Sequence, residues 1–479
     1  MLLTDTSDKF VEIAFFIYLM RIHDVKQLLI MKVYFFLLCC FISQFSIGQE
    51  LASTPPMGWN SYNCFGGAVH EDEVKANADY MAKNLKQYGW EYVIVDYCWY
   101  YPHPPGAKVS NAPQFRLEDG AYVPWCGMDE YGRLLPDPTK FPSGFKALGD
   151  YVHSLGLKFG IHIMRGIPRQ AVWANTKIMG TDARAGDIAD QSSVCPWLNH
   201  MYGLDLKKEG AQAYYNSLAT LYASWGVDYI KMDDMTADDA NMEYHQAEAE
   251  AIHKAIQQCG RPIVLSISPK NLKKDVASIK ANANLSRISG DFWDNWKQLK
   301  QQFDHCAEWM GIGAPGYWPD ADMLQLGKVS KRGPVSVERF SRLTEEEQRT
   351  HMTLWCMFKS PLMMGGNMPE NTPFVEQLLT NKEVLDINQH SINNRQLYRK
   401  GDAVVWVSQM PGTNSWNIAF FNLGENALPV SVNFSDLGIK GSWQVKDLWS
   451  QRSAGVAKNS LQQEVGPHAT VLFRLTKKS

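Results

Sequence analysis

The chain has 479 residues, of which 45% are hydrophobic and 12% aromatic, enough to build a large core. Its formal net charge is −3, with acidic and basic residues mixed, so the sequence lacks the basic footprint of a nucleic-acid-binding protein. The length corresponds to roughly three domains, although a single barrel can be larger than an average domain.

The N-terminus has the pattern of a secretory signal peptide. An apolar run over residues 33–47 follows Met31 and Lys32, and Gly48 and Gln49 come directly after it. A positive start, an apolar stretch and a small residue are typical of signal peptides, and the run is short for a membrane span. We therefore expect an over-long N-terminus over 1–30, a signal peptide over 31–49 and export to the periplasm or the medium. A membrane anchor is the alternative, but we expect no stable membrane span in the mature form.

From residue 57 onward, strand-like runs alternate with helix-period segments. Gly89, Gly156, Gly226 and Gly260 each end such a helical segment just before an apolar run. The candidate strands lie at 57–59, 92–96, 157–164, 227–232, 262–268, 287–291, 317–323 and 361–364. Alternating strands and helices predict a parallel sheet, and eight units predict a (β/α)8 TIM barrel over 50–390. A doubly wound open sheet is the alternative architecture.

The pattern changes after residue 390. Strand-like runs near 403–409, 416–422, 429–434, 443–449 and 469–475 are separated by turn residues such as Pro411-Gly412. This predicts a C-terminal antiparallel β-sandwich over 391–479. We expect the sandwich to pack against the barrel, with carbohydrate binding as the alternative role.

Polar side chains stand at the ends of the predicted barrel strands, where parallel barrels carry their active sites. They are Asp96, His162, Arg165, Lys231, Asp233, Ser268, Arg287, Asp291, Asp320 and Asp322. Any one of them could cap a helix or form a structural salt bridge. Together they predict a pocket with two or more carboxylates and flanking cations, lined by Trp59, Tyr62, Trp99 and Trp293.

Two carboxylates in an aromatic-lined pocket can cleave a glycosidic bond. Lys231 would help Asp233 to stay ionised as a nucleophile. Asp291, beside Phe292 and Trp293, would suit the general acid because an apolar wall raises the pKa of a carboxyl, although Arg287 acts in the opposite direction. A metal-dependent hydrolase built on the same acids is not excluded by these residues alone.

Five motifs resemble glycoside hydrolase family 27, the family of α-galactosidases (melibiases) and α-N-acetylgalactosaminidases. They are TPPMGWNSY at 54–62, VDYCW at 95–99, DYIKMD at 228–233, RISGDFWDNW at 287–296 and PDADM at 319–323. The resemblance covers residues 51–390 in the family's order, and the family's β-sandwich fits 391–479. It implies a retaining, α-galactosidase-like exo-glycosidase that acts on a carbohydrate and needs no metal or cofactor.

The resemblance also implies roles for single residues. Asp233 matches the nucleophile and Asp291 the acid/base, and we expect their carboxyls to lie about 5–6 Å apart, as retention requires. Substrate-binding roles are expected for Tyr62, Asp96, Tyr97, Trp99, His162, Lys231, Ser268, Arg287 and Asp322. Cys64 and Cys98 match a family disulfide, and Cys126 and Cys195 could form a second.

The sequence departs from the family where the sugar is recognised. Tyr97 replaces the second Asp of an acid pair that holds the sugar O4 and O6 in galactosidases, His162 replaces a Tyr, Ser268 replaces a Glu and Met235 replaces a Cys. The sugar is therefore open among α-galactose, β-L-arabinopyranose, N-acetylgalactosamine and an α-glucan. A transglycosylase and a non-catalytic sugar-binding protein are the alternatives from other classes.

Overall fold

The computed structural model describes residues 51–102, 114–116, 122–236, 243–269, 272–333 and 337–477. The predicted signal peptide lies outside the described residues. Barrel and sandwich belong to one compact unit that begins at Leu51. Over the described ranges, no helix has both the length and the apolar character needed to cross a membrane.

Eight parallel strands form a barrel at the centre of this unit. They are β1 (Met57–Asn60), β2 (Tyr92–Val95), β3 (Lys158–Met164), β4 (Val227–Asp233), β5 (Val264–Ile267), β6 (Leu285–Arg287), β7 (Trp318–Asp320) and β8 (Leu362–Met364). The strand order is β7-β6-β5-β4-β3-β2-β1-β8. A parallel bridge between Leu324 and Met364 connects the segment after β7 with β8 and closes the sheet. The predicted (β/α)8 TIM barrel is confirmed.

At least one helix follows each barrel strand. The helices are α1 (Glu71–Tyr80), α2 (Gly144–Ser154), α3 (Ala211–Ser224), α4 (Gln246–Gln258), α5 (Val276–Asn282), α6 (Trp296–Trp309), α7 (Glu345–Phe358), α8 (Pro373–Thr380) and α9 (Lys382–His390). Gly156, Gly226 and Gly260 follow α2, α3 and α4 with φ of +69°, +81° and +77°. This left-handed conformation is easy for glycine, which explains why glycine marks these helix ends in the sequence.

Shorter elements fill the connections. Single turns of helix lie at Tyr62–Phe65, Met81–Leu85, Lys86–Tyr88, Arg169–Trp173, Ala185–Ile188, Lys273–Asp275, Met368–Glu370 and Phe434–Leu437. Gln114–Arg116 pairs with Tyr122–Pro124, and Met201–Leu204 pairs with Ile167–Pro168 and Ala189–Val194. The last three strands follow β3, so they add a small sheet to the carboxyl-terminal end of the barrel.

The C-terminal part is antiparallel throughout. Its strands are β9 (Ile392–Lys400), β10 (Ala403–Met410), β11 (Ser415–Asn422), β12 (Leu428–Asn433), β13 (Ser442–Asp447), β14 (Arg452–Lys458), β15 (Ser460–Val465) and β16 (Thr470–Lys477). They pair in the order β9-β10-β11-β16-β13-β14-β15-β12 around a core that includes Phe420 and Trp443. The predicted β-sandwich is confirmed. It packs on the barrel through contacts such as Phe303 with Phe421.

The cysteines do not form the expected disulfides. The side chains of Cys64, Cys98, Cys126 and Cys195 are all buried, and no disulfide joins any two of them. The sulfur of Cys64 interacts with the backbone N–H groups of Lys331 and Asn367, and burial raises the pKa of this thiol to about 12. The structure therefore lacks both predicted pairings, Cys64 with Cys98 and Cys126 with Cys195.

Candidate active site

A cavity of about 260 Å³ lies at the carboxyl-terminal ends of the barrel strands. Its lining residues are Tyr62, Asp96, Tyr97, Trp197, Lys231, Asp233, Asp234, Thr236, Ser268, Arg287, Ser289, Gly290 and Asp291. Carboxylates, cations and aromatic rings therefore surround one small space. Such a lining suits a ring-shaped ligand with many hydroxyl groups.

The floor of the cavity is a buried ion pair. Asp96 directly follows β2, and its Oδ2 lies 3.0 Å from Lys231 Nζ on β4 and accepts a hydrogen bond of 2.7 Å from Asn60. Burial opposes ionisation, but Lys231 and His162 outweigh it and lower the pKa of Asp96 to about 2. Asp96 is therefore a carboxylate at neutral pH. The pair offers an acceptor and a donor to hydroxyl groups of a ligand.

Asp233 is the last residue of β4, two positions after Lys231, so both side chains point to the same face of the strand. Its Oδ1 accepts a hydrogen bond of 2.8 Å from the Asp234 N–H, and its Oδ2 lies 3.3 Å from His162 Nε2. Burial raises the pKa of Asp233, but the hydrogen bond to His162, together with Lys231, lowers it below its ordinary value. The side chain is 23% exposed, so this carboxylate is ionised and accessible.

Asp291 lies two strands away from Asp233, four residues after β6 ends at Arg287. Its side chain is 59% exposed, and Arg287 Nη1 lies 3.4 Å from its Oδ1. The Phe292 ring is buried against His351 and does not cover this carboxyl, contrary to the expected apolar wall. Asp291 therefore stands at the open rim of the cavity, in contact with solvent.

Arg287 is held from behind by Asp322, with 2.8 Å between Nη2 and Oδ2. Asp322 Oδ2 also accepts the Phe292 N–H at 2.8 Å. Burial raises the pKa of Asp322 to about 6, and Asp291 and Asp320 add to this rise while Arg287 opposes it. Asp322 was predicted to contact substrate, but it is not part of the cavity lining. It positions Arg287, and Arg287 does line the cavity.

The aromatic wall differs from the predicted one. Tyr62 packs against Tyr97 and Trp293 with ring-centroid distances of 5.5 Å and 6.1 Å, and Tyr97 packs against Trp197 at 6.3 Å. Trp197 belongs to the loop between the small strands that follow β3, and it is 50% exposed at the cavity. These rings form one side of the cavity.

Trp59 and Trp99 do not reach the cavity, so their predicted place in its wall is wrong. Both are buried, and their Nε1 atoms donate to the carbonyl oxygens of Gly366 and His162, respectively. The Trp99 ring packs against Phe145 on α2 at 4.9 Å. A residue near a strand end can face either the pocket or the helix layer, and the sequence does not distinguish the two.

Two further predicted residues, His162 and Ser268, take different positions relative to the cavity. His162 is fully buried and supports Asp233 from below the cavity. Ser268 lines the cavity, and its buried Oγ has no hydrogen-bond partner among the described residues.

Cavity residues that the sequence did not identify are Trp197, Thr236, Ser289 and Gly290, and Asn60 was missed as the partner of Asp96. Asn60, Ser289 and Gly290 carried a signal, because they lie inside recognised motifs, whereas Trp197 and Thr236 did not.

Within the described residues, no group of three or more His, Cys, Asp or Glu side chains has the arrangement of a metal site. The acids of the cavity face Lys231, Arg287 and His162. A barrel whose strand ends present two accessible carboxylates above a hydroxyl-binding floor, beside an aromatic wall, defines a barrel glycosidase.

Comparisons with known proteins identify the family. Residues 117–185 and 206–390 match the family model described as alpha galactosidase A, and residues 400–475 match its C-terminal beta sandwich domain. The chain belongs to glycoside hydrolase family 27 and is a glycosidase of the α-galactosidase type. The family resemblance seen in the sequence motifs is confirmed.

Relatives from several organisms cover nearly the whole chain. Alpha-galactosidase 2 of Arabidopsis thaliana is 27% identical over 445 residues, covering 91% of this chain and 93% of that protein. Alpha-galactosidase A of Cellvibrio japonicus is 27% identical over 459 residues, covering 89% and 93%. Among solved structures, the family 27 β-L-arabinopyranosidase of Geobacillus stearothermophilus is 49% identical, with a TM-score of 0.83 and coverage of 89% and 97%.

Proposed function

We propose that the protein is a retaining exo-glycosidase that removes terminal β-L-arabinopyranosyl residues, with terminal α-galactosyl residues as its second substrate. The two sugars share the stereochemistry of the ring, and galactose carries a hydroxymethyl group where arabinopyranose has only hydrogen. The observation that carries the proposal is the aromatic side chain of Tyr97 beside the carboxylate of Asp96.

Asp96 supplies a carboxylate that suits the sugar O4, but the next residue is Tyr97 and not a second acid. The Tyr97 ring lies between Tyr62, at 5.5 Å, and Trp197, at 6.3 Å. The Tyr97 side chain offers apolar contact to the ring CH2 group of an arabinopyranose. It also fills the space next to Asp96 and takes the place of the acid that would accept the 6-hydroxyl group of galactose. A hydroxyl group that loses its hydrogen-bond partner on binding weakens binding.

The degree of similarity supports the same sugar. The chain is 49% identical to the β-L-arabinopyranosidase of Geobacillus stearothermophilus and 27% identical to the α-galactosidases of Arabidopsis thaliana and Cellvibrio japonicus. α-Galactosidase activity is kept as the second candidate because the family model and these relatives carry that description.

In the proposed reaction, Asp233 attacks the anomeric carbon while Asp291 gives its proton to the leaving oxygen. A covalent glycosyl-enzyme forms on Asp233, and the freed alcohol departs past the open rim. Asp291, now a carboxylate, takes a proton from water, and this water cleaves the ester with net retention. The depressed pKa of Asp233 and the exposure of Asp291 support these roles.

The floor of the cavity would hold the sugar during both steps. The carboxylate of Asp96 would accept hydrogen bonds from hydroxyl groups, and Lys231 and Arg287 would donate to others. The unpartnered Oγ of Ser268 is a further hydrogen-bonding group for the sugar. The enclosed floor supports removal of one terminal residue rather than cleavage within a chain.

The test compares kcat/KM for the nitrophenyl β-L-arabinopyranoside and α-D-galactopyranoside. We expect the arabinopyranoside to be better by at least about tenfold, the scale set by one unfavourable substituent in a fitted pocket. NMR of the first-formed sugar should show a retained anomeric configuration. A faster galactoside would overturn the sugar assignment alone, and inversion would overturn the mechanism.

We also propose that the protein is exported through the signal peptide that begins near Met31. The support is the sequence pattern over residues 31–49. N-terminal sequencing of protein recovered outside the cytoplasm should give a first residue close to Glu50. A mature N-terminus before Met31 would contradict this proposal.

A further inference from the structure

The residue after the nucleophile has an unusual backbone conformation. Asp234 has a φ of +63°, in the left-handed region that residues with a side chain seldom adopt. Its N–H, which belongs to the peptide between Asp233 and Asp234, donates to Asp233 Oδ1 at 2.8 Å. One of the two close contacts on the Asp233 carboxylate therefore depends on the position of this peptide.

Arg165 contacts this part of the chain at several points, and the Cys195 side chain also contacts the Asp234 carboxylate. Arg165 follows β3, and its Nε donates to the Asp234 carbonyl oxygen at 2.7 Å and lies 3.0 Å from Oδ2 of the same residue. The backbone N–H of Arg165 donates to the Asp233 carbonyl oxygen at 3.2 Å. Arg165 thus contacts both Asp233 and Asp234 without reaching the cavity itself.

Arg165 is in turn held by the helix layer. Its Nη1 lies 2.9 Å from Glu248 Oε1 on α4, and Glu248 Oε2 accepts a hydrogen bond of 2.5 Å from the Tyr215 hydroxyl on α3. The Tyr215 oxygen accepts the Gly166 N–H at 2.9 Å. The side chains of Arg165, Asp234 and Glu248 are only 3%, 4% and 6% exposed.

Global stability alone is a weak explanation for this network. Buried ion pairs contribute little net stability compared with apolar residues of similar size, because desolvation offsets their attraction. A left-handed residue is in addition strained, and such strain is found mainly at functional sites. The network also ends directly on the carboxylate that carries the proposed chemistry.

We propose that Arg165, held by Glu248 and Tyr215, is a positioning residue for the nucleophile. It holds the peptide between Asp233 and Asp234 and the left-handed residue that follows it, and thereby keeps the Asp234 N–H on Asp233 Oδ1. Oδ2, whose contact with His162 is longer at 3.3 Å, is then the oxygen that attacks the sugar. This inference rests on the proposed role of Asp233 as nucleophile.

Two substitutions at one position separate conformation from side chain. Asp234→Gly and Asp234→Ala both remove the carboxylate, but only glycine adopts the left-handed conformation easily. For Asp234→Ala we expect kcat to fall about 100-fold, the scale of a misplaced reacting group, with KM changed little. Asp234→Gly should lose clearly less of kcat than Asp234→Ala.

The pH profile supplies a readout that a structural role would not move. The Asp234 N–H favours the ionised form of Asp233, so its loss raises the pKa of Asp233 and shifts the acid limb of kcat/KM to higher pH. Both variants also remove the Asp234 carboxylate, a like charge whose loss opposes this shift, so the acid limb of Asp234→Ala is compared with that of Asp234→Gly and should lie at higher pH. The other groups that act on Asp233 stay in place in both: His162 on β3, Lys231 on β4, Tyr62 after β1 and Arg287 at the end of β6.

Glu248→Gln keeps the shape of the network and removes the charge opposite Arg165. It is the variant to measure if Asp234→Ala does not fold. It should lower kcat, by less than Asp234→Ala does. Equal kcat or equal acid limbs for Asp234→Ala and Asp234→Gly, or wild-type kcat in folded Glu248→Gln, would overturn the inference. Activity in Asp233→Ala would instead overturn the proposed nucleophile, so the two failures are distinguishable.

Discussion

The two sides of the active site hold their carboxyl groups in opposite ways. Asp233 ends a barrel strand, is 23% exposed, and is surrounded by the Asp234 N–H, His162 and Lys231. Asp291 stands on a loop four residues beyond β6, is 59% exposed, and its Oδ1 lies 3.4 Å from Arg287 Nη1.

This difference fits two different tasks. A nucleophile must be ionised before substrate arrives and must not move, which a strand end with several donors provides. An acid/base must exchange a proton with a leaving group and then with water, so it must meet both. We call the side of the cavity that carries Asp233 the fixed side and the side that carries Asp291 the open side. Mutations on the two sides should therefore have different effects.

The largest effect is expected on the fixed side. Asp233→Ala should lower kcat by roughly 10⁴-fold or more, the scale found when one member of a catalytic set is removed. Azide or formate should partly restore turnover, because a small anion fits the space left by the carboxylate. Asp228→Ala is the matched control: Asp228 lies at the other end of β4, pairs with His153, and should affect stability and not turnover. Full activity of Asp233→Ala would contradict the role of Asp233 as the nucleophile.

A smaller effect that depends on the leaving group is expected on the open side. Asp291→Ala should lower kcat/KM by about 10²- to 10⁴-fold for a sugar leaving group, the range of general acid catalysis. For a dinitrophenyl glycoside, which needs no proton to depart, the loss should be much smaller. The measurement is the slope of log kcat/KM against the leaving-group pKa. An unchanged slope would exclude Asp291 as the acid.

The aromatic wall gives a third prediction, about sugar choice. Tyr97→Asp removes the ring beside Asp96 and adds an acceptor for a 6-hydroxyl group. It should shift the ratio of kcat/KM values toward the galactoside by about tenfold. Tyr97→Phe keeps the ring and should leave that ratio close to that of the wild type. An equal shift in both variants would point to a general loosening of the pocket.

The smallest expected effect concerns stability and pH. Since the pKa of Asp322 rises from 3.8 to about 6 on folding, the folded state holds this proton more tightly than the unfolded state between those values. Asp322 therefore stabilises the folded state less as pH rises through this window. The free energy of unfolding lost in Asp322→Asn should be larger at pH 4 than at pH 7. A deficit that grows with pH would contradict this assignment.

The barrel was predictable because its signals are local. Glycines such as Gly156 and Gly226 mark helix ends, and each is followed by a strand. The sixth strand was misplaced: it was expected at 287–291, but the strand is Leu285–Arg287 and the rest forms the loop that carries Asp291. The polar residues after Arg287 are needed at the rim, so the chemistry of the site overrides the strand pattern.

The site was predictable where a motif fixes a residue at a strand end, as for Asp96, Lys231 and Asp233. It was not predictable where side-chain direction decides, as for Trp99, which faces α2, or where a long loop returns, as for Trp197. The network of Arg165 and Glu248 joins residues 83 positions apart, and no local pattern indicates it.

The most direct test of the account is to trap the glycosyl-enzyme. A 2-deoxy-2-fluoro-β-L-arabinopyranosyl fluoride should form the ester but hydrolyse it slowly, and peptide mass spectrometry then locates the sugar. We predict one label, on Asp233, that disappears when an acceptor sugar is added. A label on another carboxylate, or turnover without any trapped species and with inverted product, would contradict the account.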